Sequence, residues 1–528
     1  MGRVAKGARP MSRETVPGGA DRGAWVNGLE PATVWREFAG LAALPRRSKE
    51  EGLVRAHVLD RLKELGLVAS VDRVGNVVVD VPGSSKAETV VLQAHLDMVC
   101  EADVGAGTDP AVDGVFPVAA DGWVQAPGTT LGADDGIGVA VALAIAADAA
   151  SYSNTPRSPL PPLQLLFTVD EEEDFGGAAG VDPRLVTGRI LLNLDSEQEH
   201  EVIIGSAGGS RVFVRIPVEW EAAPVESEHT VLRVSGLEGG HSGQQIADNL
   251  MNAIKALGYV LALASDELSV DAATHLRIAD LSGGRADNAI PREAQAVLLL
   301  DEQGRTTLER VATEVQGRLR GWRAGADDDA VIEIVGANDP PPTRVMSSGA
   351  AGRLVDLLVT LPSGVLSMDE RLSGIVRTST NLGVAYVEDD DVVLVSAPRS
   401  SRQADLDALH ARYASFARLG GGRVIVTSEY PAWQPDFQSP LLDVVRAAHL
   451  EVHGREPHVT AVHAGLEAGE IAAHLPGLVA VSIGPTVEGA HSPKERLNIA
   501  SVGRFHEVVR RTLARLAEPT DGRVSQGE

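Results

Sequence analysis

Five consecutive acids, Asp170 to Asp174, follow the apolar run 163–169. Packed like charges repel, and solvent, protonation or a bound cation must relieve them. A solvated loop is the ordinary fate of an acid run, so a cation reading needs ligands elsewhere in the chain. His95-Leu-Asp97 closes another apolar run. Residues i and i+2 of a strand point the same way, and a carboxylate there can hold the imidazole in the tautomer that binds a metal. Leu131-Gly-Ala-Asp134-Asp135-Gly-Ile-Gly138 leads into an apolar helix. Helix capping accounts for one of these aspartates, but not for two among glycines that let the backbone approach a ligand. Asn193-Leu-Asp195-Ser-Glu197 again ends an apolar strand with a carboxylate, and Gly484-Pro-Thr-Val-Glu-Gly-Ala-His491-Ser-Pro493 delivers a histidine in a constrained loop.

Two histidines and three or four carboxylates, drawn from His95, Asp134, Glu171/Glu172, Asp195 and His491, form a mixed nitrogen and oxygen donor set. Such a set suits zinc, with manganese or cobalt as alternatives. Two ions need a bridging carboxylate and an open position for water. An adjacent glutamate that binds no metal can then take the water's proton, which explains a Glu-Glu pair.

The elements that must position these residues alternate. Helices are expected at 31–42 and 49–66, strands at 77–81, 89–95, 163–169 and 189–194, and a buried, all-round apolar helix from 138. That rhythm predicts an α/β sheet flanked by helices, with ligands gathered at the C-terminal strand edge. The segment 151–162 is a Pro/Ser-rich connection. From 210 to 420 the rhythm becomes α+β. A strand at 230–236, a helix over 242–264, strands at 274–281 and 294–301, a helix at 306–322 and a strand at 330–335 come first. A second, similar round has helices at 349–361 and 403–418 around hairpin strands 381–388 and 391–397. The α/β pattern resumes with a strand at 423–427, a helix at 440–453, a strand at 478–483 and a helix at 500–516. A catalytic body is therefore expected at 26–209 and 421–518, with 210–420 inserted. Residues 1–25 lack the apolar stretch of a secretory signal and read as a disordered extension, and 519–528 as a loose tail.

The chain has 528 residues and a formal net charge of −26, which argues against nucleic acid or an anionic membrane as partner. No apolar run reaches the ~18 residues of a membrane-spanning helix. The single cysteine, Cys100, excludes an internal disulfide and fits a reducing, cytoplasmic compartment. It reads as a small apolar filler at a strand end.

These pieces together with Gly239-Gly-His241-Ser-Gly243, Asn288-Ala-Ile-Pro-Arg-Glu293 and His463-Ala-Gly-Leu-Glu467 resemble the co-catalytic zinc peptidases of the aminoacylase/carboxypeptidase G type, most closely their aminoacyl-histidine dipeptidase branch. The matching motifs span about 90 to 495. The resemblance implies a mixed sheet flanked by helices and an inserted α+β, ferredoxin-like lid. It implies two zinc ions bridged by Asp134, one also held by His95 and Asp195, the other by Glu172 and His491. Asp97 would orient His95, Glu171 would serve as general base, and His241 would steady the developing oxyanion from the lid. Asn288 and Arg399 resemble lid residues that meet the substrate, with Arg399 pairing its C-terminal carboxylate. Glu467 is assigned to the substrate ammonium on charge alone. The acid run continues through Glu173 and Asp174, and the family pattern, which places the pair two residues beyond a Thr-x, implies Glu171/Glu172 rather than Glu172/Glu173. The implied activity is hydrolysis of short unblocked peptides, chiefly dipeptides, Xaa-His among them, with a homodimer through the lid. An N-acyl amino acid deacylase or a tripeptidase on the same scaffold is the second reading, and a non-catalytic binding protein the third.

Overall fold

Apolar runs that do not alternate with polar residues need cover on both faces, and four such runs organise the first part of the chain. In the computed structural model the described residues are 23–84, 87–151, 160–224, 227–268, 276–319, 327–336 and 340–518. The expected extension up to residue 22, most of the 151–162 connection and the tail 519–528 lie outside them. The chain divides into two compact units, 1–200 with 444–457 and 482–528, and 201–443 with 458–481.

In the first unit, strands β1 (Ala69–Val71), β2 (Val77–Val81), β3 (Val90–His95), β4 (Leu163–Thr168) and β5 (Ile190–Asn193) pair in the order β1-β2-β4-β3-β5. The β1–β2 and β2–β4 pairs are antiparallel and β3 runs parallel to both β4 and β5. Every residue of β3 and β4 is buried. The sheet's helices include α1 (Ala32–Ala42), α2 (Gly52–Glu64), α3 (Ala133–Ser151) and α5 (Ile499–Leu516), with α4 (Pro440–His453) preceding α5 in the chain. Helix α3 packs on β3 and α1; its buried residues run from Gly136 to Ala146 without a polar face. Trp25, within the one-turn helix Ala24–Val26, stands edge-on to Trp35 and Phe38 of α1. Four short strands, Val118–Ala120, Trp123–Gln125, Val487–Glu488 and Arg496–Asn498, make a separate antiparallel ribbon.

In the second unit, β6 (Gly208–Pro217), β7 (Glu228–Ser235), β8 (Arg277–Gly283), β9 (Ala294–Leu300), β10 (Val331–Gly336), β11 (Val376–Glu388), β12 (Asp391–Ser400) and β13 (Arg423–Tyr430) pair in the order β10-β7-β9-β8-β11-β12-β6-β13, and Gly364–Met368 pairs with β11. With helices Ala253–Leu268 and Glu302–Leu319, strands β7 to β10 form a βαββαβ unit of ferredoxin-like order. Helices Ser348–Thr360 and Gln403–Leu419 give β6, β11, β12 and β13 the same order. The β7–β10 round lies in the chain between β6 and helix Ser348–Thr360 of the other round, and β8–β11 pairing joins the two rounds.

Two expectations need correction. The strand near 423–427 does not resume the first sheet: as β13 it pairs antiparallel with β6, and its partly exposed residues mark an edge strand. The helix expected from 242 begins at Ala253, because the Asn252 side chain accepts from the Ile254 and Lys255 amides and caps it there. The Gly239–Gly243 stretch ahead of it contains a short bridge, Gly240–His241 against Ala289–Ile290.

Because β3 carries His95 on a strand with no exposed face, packing within it sets the site. Leu92→Ala should cost ~2–5 kcal/mol, against under about 0.5 kcal/mol for Asp60→Ala on the exposed side of α2. Denaturant titrations of both variants check this; equal midpoints would rule it out.

Candidate metal centre

Strand β3 delivers His95 fully buried at its C-terminal end. His95 Nδ1 lies 3.2 Å from the Asp97 carbonyl oxygen and 3.5 Å from Asp97 Oδ1. Nδ1–H therefore donates to Asp97, and Nε2 points the other way, 3.0 Å from Asp134 Oδ1 and 3.5 Å from Asp195 Oδ1. Asp97 is itself held. Its two carboxylate oxygens accept from the Glu171 and Glu172 amides, 3.1 Å each, and from Ser48 Oγ at 2.8 Å. Burial pushes the Asp97 carboxyl up, but His95, the Glu171 amide and Ser48 outweigh it and hold it at about 2.

The same two amides open the one-turn helix Glu171–Asp174, so Asp97 ties the histidine strand to the acid run. Asp170 turns the chain with φ 56°, and its amide donates to Glu51 Oε1 at 3.0 Å. The run then divides. Glu171 Oε2 lies 4.0 Å from His95 Nε2, and Glu172 Oε2 lies 2.9 Å from His491 Nε2. Glu173 and Asp174 face away, to Lys49 Nζ at 2.9 and 2.6 Å. Two acids enter the site and two are answered by a lysine, which is why the run is longer than the pair the site uses.

Asp134 and Asp135 lie at the start of α3 with non-helical dihedrals. The loop ahead of them wraps the buried Glu495 carboxylate, which accepts from the Leu131, Gly132, Ala133 and Asp134 amides at 2.7, 3.0, 2.7 and 3.3 Å. Gly132 has φ 68°, a conformation that favours glycine. Buried Arg46 donates to the carbonyls of Leu96, Asp97 and Gly132, fastening the loop to the end of β3.

His491 sits in the loop between two ribbon strands with φ 61°. Its Nε2 is 3.1 Å from Asp134 Oδ2. One carboxylate thus reaches both imidazoles, Oδ1 toward His95 and Oδ2 toward His491. The donor atoms fall into groups within 4.8 Å: His95 with Asp135 and Asp195, His95 with Glu171 and Glu172, and Asp134 with Glu172 and His491. Hydrogen bonds with Asp134 and Glu172 raise His491 to about 11. Burial works against protonation of His95, yet Asp195, Asp134 and Asp97 raise it. Burial lifts Glu197 to about 7, reinforced by the Asp134 charge. Burial with Asp195 also raises Asp135.

The residues fit a pair of divalent cations. Asp135 Oδ2 and Glu172 Oε1 are buried without a hydrogen-bond donor among the described residues, and the mixed carboxylate and imidazole set is that of borderline divalent ions. His95, Asp134, Glu171, Glu172, Asp195 and His491 therefore converge. Sequence reasoning missed Arg46, Ser48, Glu51 and Glu495, which hold these groups in place. Glu495 follows His491 by four residues, the one local signal; the others lie in a polar stretch without periodicity.

The remaining candidates belong to the second unit. His241 and Asn288 line one groove of about 720 Å³, with Arg285 and Arg292 at its wall. His241 Nδ1 accepts from the Gly243 and Gln244 amides at 3.3 and 3.2 Å, so the ring proton of the neutral imidazole is on Nε2. Arg399 lies on β12 and donates to Tyr430 Oη at 2.7 Å; it does not line that groove. Glu467 is fully buried at the start of helix Glu467–His474. His463, left without a role in the sequence reading, bonds Ser379 Oγ through Nε2 at 2.7 Å. Burial, with Arg399 beside it, lowers it to about 4.

Residues 91–515 match the model of peptidase family M20/M25/M40. The chain is 34% identical over 481 residues to the cytosol non-specific dipeptidase of Escherichia coli (strain K12), covering 90% of this chain and 96% of that protein. The crystal structure of aminoacylhistidine dipeptidase from Vibrio alginolyticus superposes with a TM-score of 0.81 at 32% identity, over 92% of this chain and 97% of the other. An aminopeptidase from Bacillus cereus shares the fold, with a TM-score of 0.53 at 17% identity over 93% and 100% of the two chains. On the extent of these matches and the residues they contain, the chain belongs to peptidase family M20/M25/M40.

Proposed function

We propose that the chain is a metallo-dipeptidase that hydrolyses unblocked dipeptides, Xaa-His among them, at the His95–Asp134–His491 centre. The observation that carries this reading is the placement of Asp134, with one oxygen 3.0 Å from His95 Nε2 and the other 3.1 Å from His491 Nε2. The E. coli and Vibrio relatives, a cytosol non-specific dipeptidase and an aminoacylhistidine dipeptidase, support the substrate class.

Asp134 would bridge two ions, His95 and Asp195 holding one, Glu172 and His491 the other. Zinc suits the donors best, with manganese or cobalt as alternatives. When bound, such a pair polarises the scissile carbonyl and makes water acidic. Asp97 fixes the His95 tautomer. Glu171, whose Oε2 lies 4.0 Å from His95 Nε2, would take the proton of the attacking water and return it to the leaving amine. His241, with its proton on Nε2, donates to the oxyanion. Asn288 contacts the peptide, and Arg399 pairs with its C-terminal carboxylate. Glu467, fully buried at the start of its helix, is assigned to the ammonium. In this reading 26–209 and 421–518, less the strand β13 that pairs with β6, act as the catalytic body and 210–420 with β13 as the lid, with the chain cytoplasmic and dimeric through the lid. Among the described residues no helix is long and apolar enough to cross a membrane.

Chelation should abolish dipeptide hydrolysis and zinc, manganese or cobalt restore it, while N-acetyl amino acids and tripeptides turn over slowly. Glu171→Gln should keep its metal but lose about 10²–10⁴-fold in kcat. Near-normal turnover of that variant would exclude Glu171 as the base, and preference for N-acetyl amino acids would select the deacylase reading.

The centre binds protons and metal in competition. Hydrogen bonds with Asp134 and Glu172 raise His491 to about 11, so metal must displace a firmly held proton. Lowering the pH favours the protonated, metal-free site. Apparent zinc affinity, read with a competing chromophoric chelator, should fall steadily from about pH 8 to about pH 6. A pH-independent affinity would contradict this competition.

A further inference from the structure

A second group of donors lies in the first unit and shares no residue with the centre above. Helix α4 carries His449 and His453 at i and i+4, the spacing that places two side chains on one helix face. His200, which ends the segment after β5, completes the group: one ring nitrogen from each of His200, His449 and His453 lies within 4.8 Å of the others. The His449 and His453 rings are stacked with centroids 4.0 Å apart, and His200 meets His453 edge-on at 4.9 Å.

Three imidazoles gathered this way, His449 buried and His200 and His453 half-buried, are costly unless something uses the lone pairs that face inward. His200 Nδ1 and His453 Nε2 are buried and lack a hydrogen-bond partner among the described residues. Buried His449 has Nδ1 3.0 Å from the Arg455 carbonyl oxygen and Nε2 3.2 Å from the Glu199 carbonyl oxygen. A neutral imidazole can donate to only one of these. Ligation through one nitrogen with the other N–H on a backbone carbonyl is the usual arrangement of a metal-bound histidine. The neighbouring charge is already balanced: Arg504 donates to both Glu199 oxygens at 2.8 Å, and Glu199 Oε1 is 3.7 Å from His200 Nε2. Burial, with the nearby His449, lowers His453 to about 4, and burial also lowers His200. Both rings are therefore neutral and able to ligate. The His200 side chain is 41% exposed, which leaves an entry path.

We propose that His200, His449 and His453 form a third metal site, an all-imidazole one that takes a single transition-metal ion such as Cu2+, Ni2+ or Zn2+ and discriminates against Mg2+ and Ca2+. The stacked His449 and His453 rings must turn out of their stack for three nitrogens to reach the ~2.1 Å of a metal–nitrogen bond, and water completes the coordination. The site pins the segment that also carries Asp195 to α4.

Copper titration of the full chain, followed by electron paramagnetic resonance, tests this. The dinuclear centre offers one imidazole on each side, His95 or His491, so hyperfine coupling to three nitrogens on one copper identifies the new site. The expected result is that signal in the wild-type chain, and its loss in His200→Gln and in His453→Gln with copper affinity there weaker by at least about tenfold. Both variants should retain wild-type dipeptide hydrolysis when the dinuclear centre is loaded with zinc. A wild-type spectrum with no more than two coupled nitrogens overturns the proposal even if a variant fails to fold. A three-nitrogen signal that survives both substitutions overturns it as well. The readout does not depend on turnover, so failure of the dipeptidase reading at Glu171→Gln would leave it standing.

Discussion

The molecule is organised around a concentration of negative charge that it cannot leave unanswered. Asp134, Asp135, Glu171, Glu172 and Asp195 converge on two imidazoles, in surroundings where His95 is fully buried. Carboxylates at such separations repel strongly unless protons or cations lie between them. The directions in which the groups titrate express the conflict. Both histidines are raised by their carboxylate neighbours, while burial pushes Asp135 and Glu197 toward their neutral forms. Two divalent ions resolve that conflict better than protons, because each carries more charge and accepts several oxygen donors at once.

The scaffold keeps these groups from relaxing apart. Asp97 joins the end of β3 to the start of the 171–174 turn, and so fixes a histidine and two glutamates with one carboxylate. Glu495 does the same for the loop that presents Asp134, accepting from its successive amides. Arg46 draws the two together through backbone carbonyls on both. Two residues here, Asp170 and His491, hold the left-handed backbone conformation, which costs on the order of 1–3 kcal/mol at a non-glycine position. That strain is tolerated because the surrounding hydrogen bonds overdetermine the geometry.

The groups that enter the site were legible in the sequence because each follows a run whose apolar pattern marks a strand or a buried helix. His95, Glu171 and Asp195 stand where such runs stop, and the glycines around Asp134 mark a close approach of backbone. Apart from Asp97, the supporting residues were not legible. Glu495 finds its partners more than 360 positions away, and its place four residues after His491 is the one local sign that it is not a surface glutamate. The ferredoxin-like rhythm of 210–420 could be read as two similar rounds. That one round is inserted into the other, with β6 and β13 flanking it in the chain, depends on strand pairing that no periodicity encodes. The late start of helix Ala253–Leu268 has a local cause, an asparagine cap, which apolar content upstream concealed.

Donor chemistry separates the two clusters of potential ligands. The Asp134 centre is dominated by carboxylate oxygen, with one imidazole on each side. The His200 group offers nitrogen alone from its three rings. Harder ions such as manganese gain most at the first, where several anionic oxygens surround them. Copper and nickel gain most at the second, where neutral nitrogen donors bind without drawing charge from neighbours. A chain with both can hold an ion suited to hydrolysis in one place while a more tightly binding competitor is satisfied in another. The distinction follows from how the charge is arranged. At the centre the surplus is negative and demands cations, whereas around His200 the pairing of Glu199 with Arg504 leaves only lone pairs to attract one.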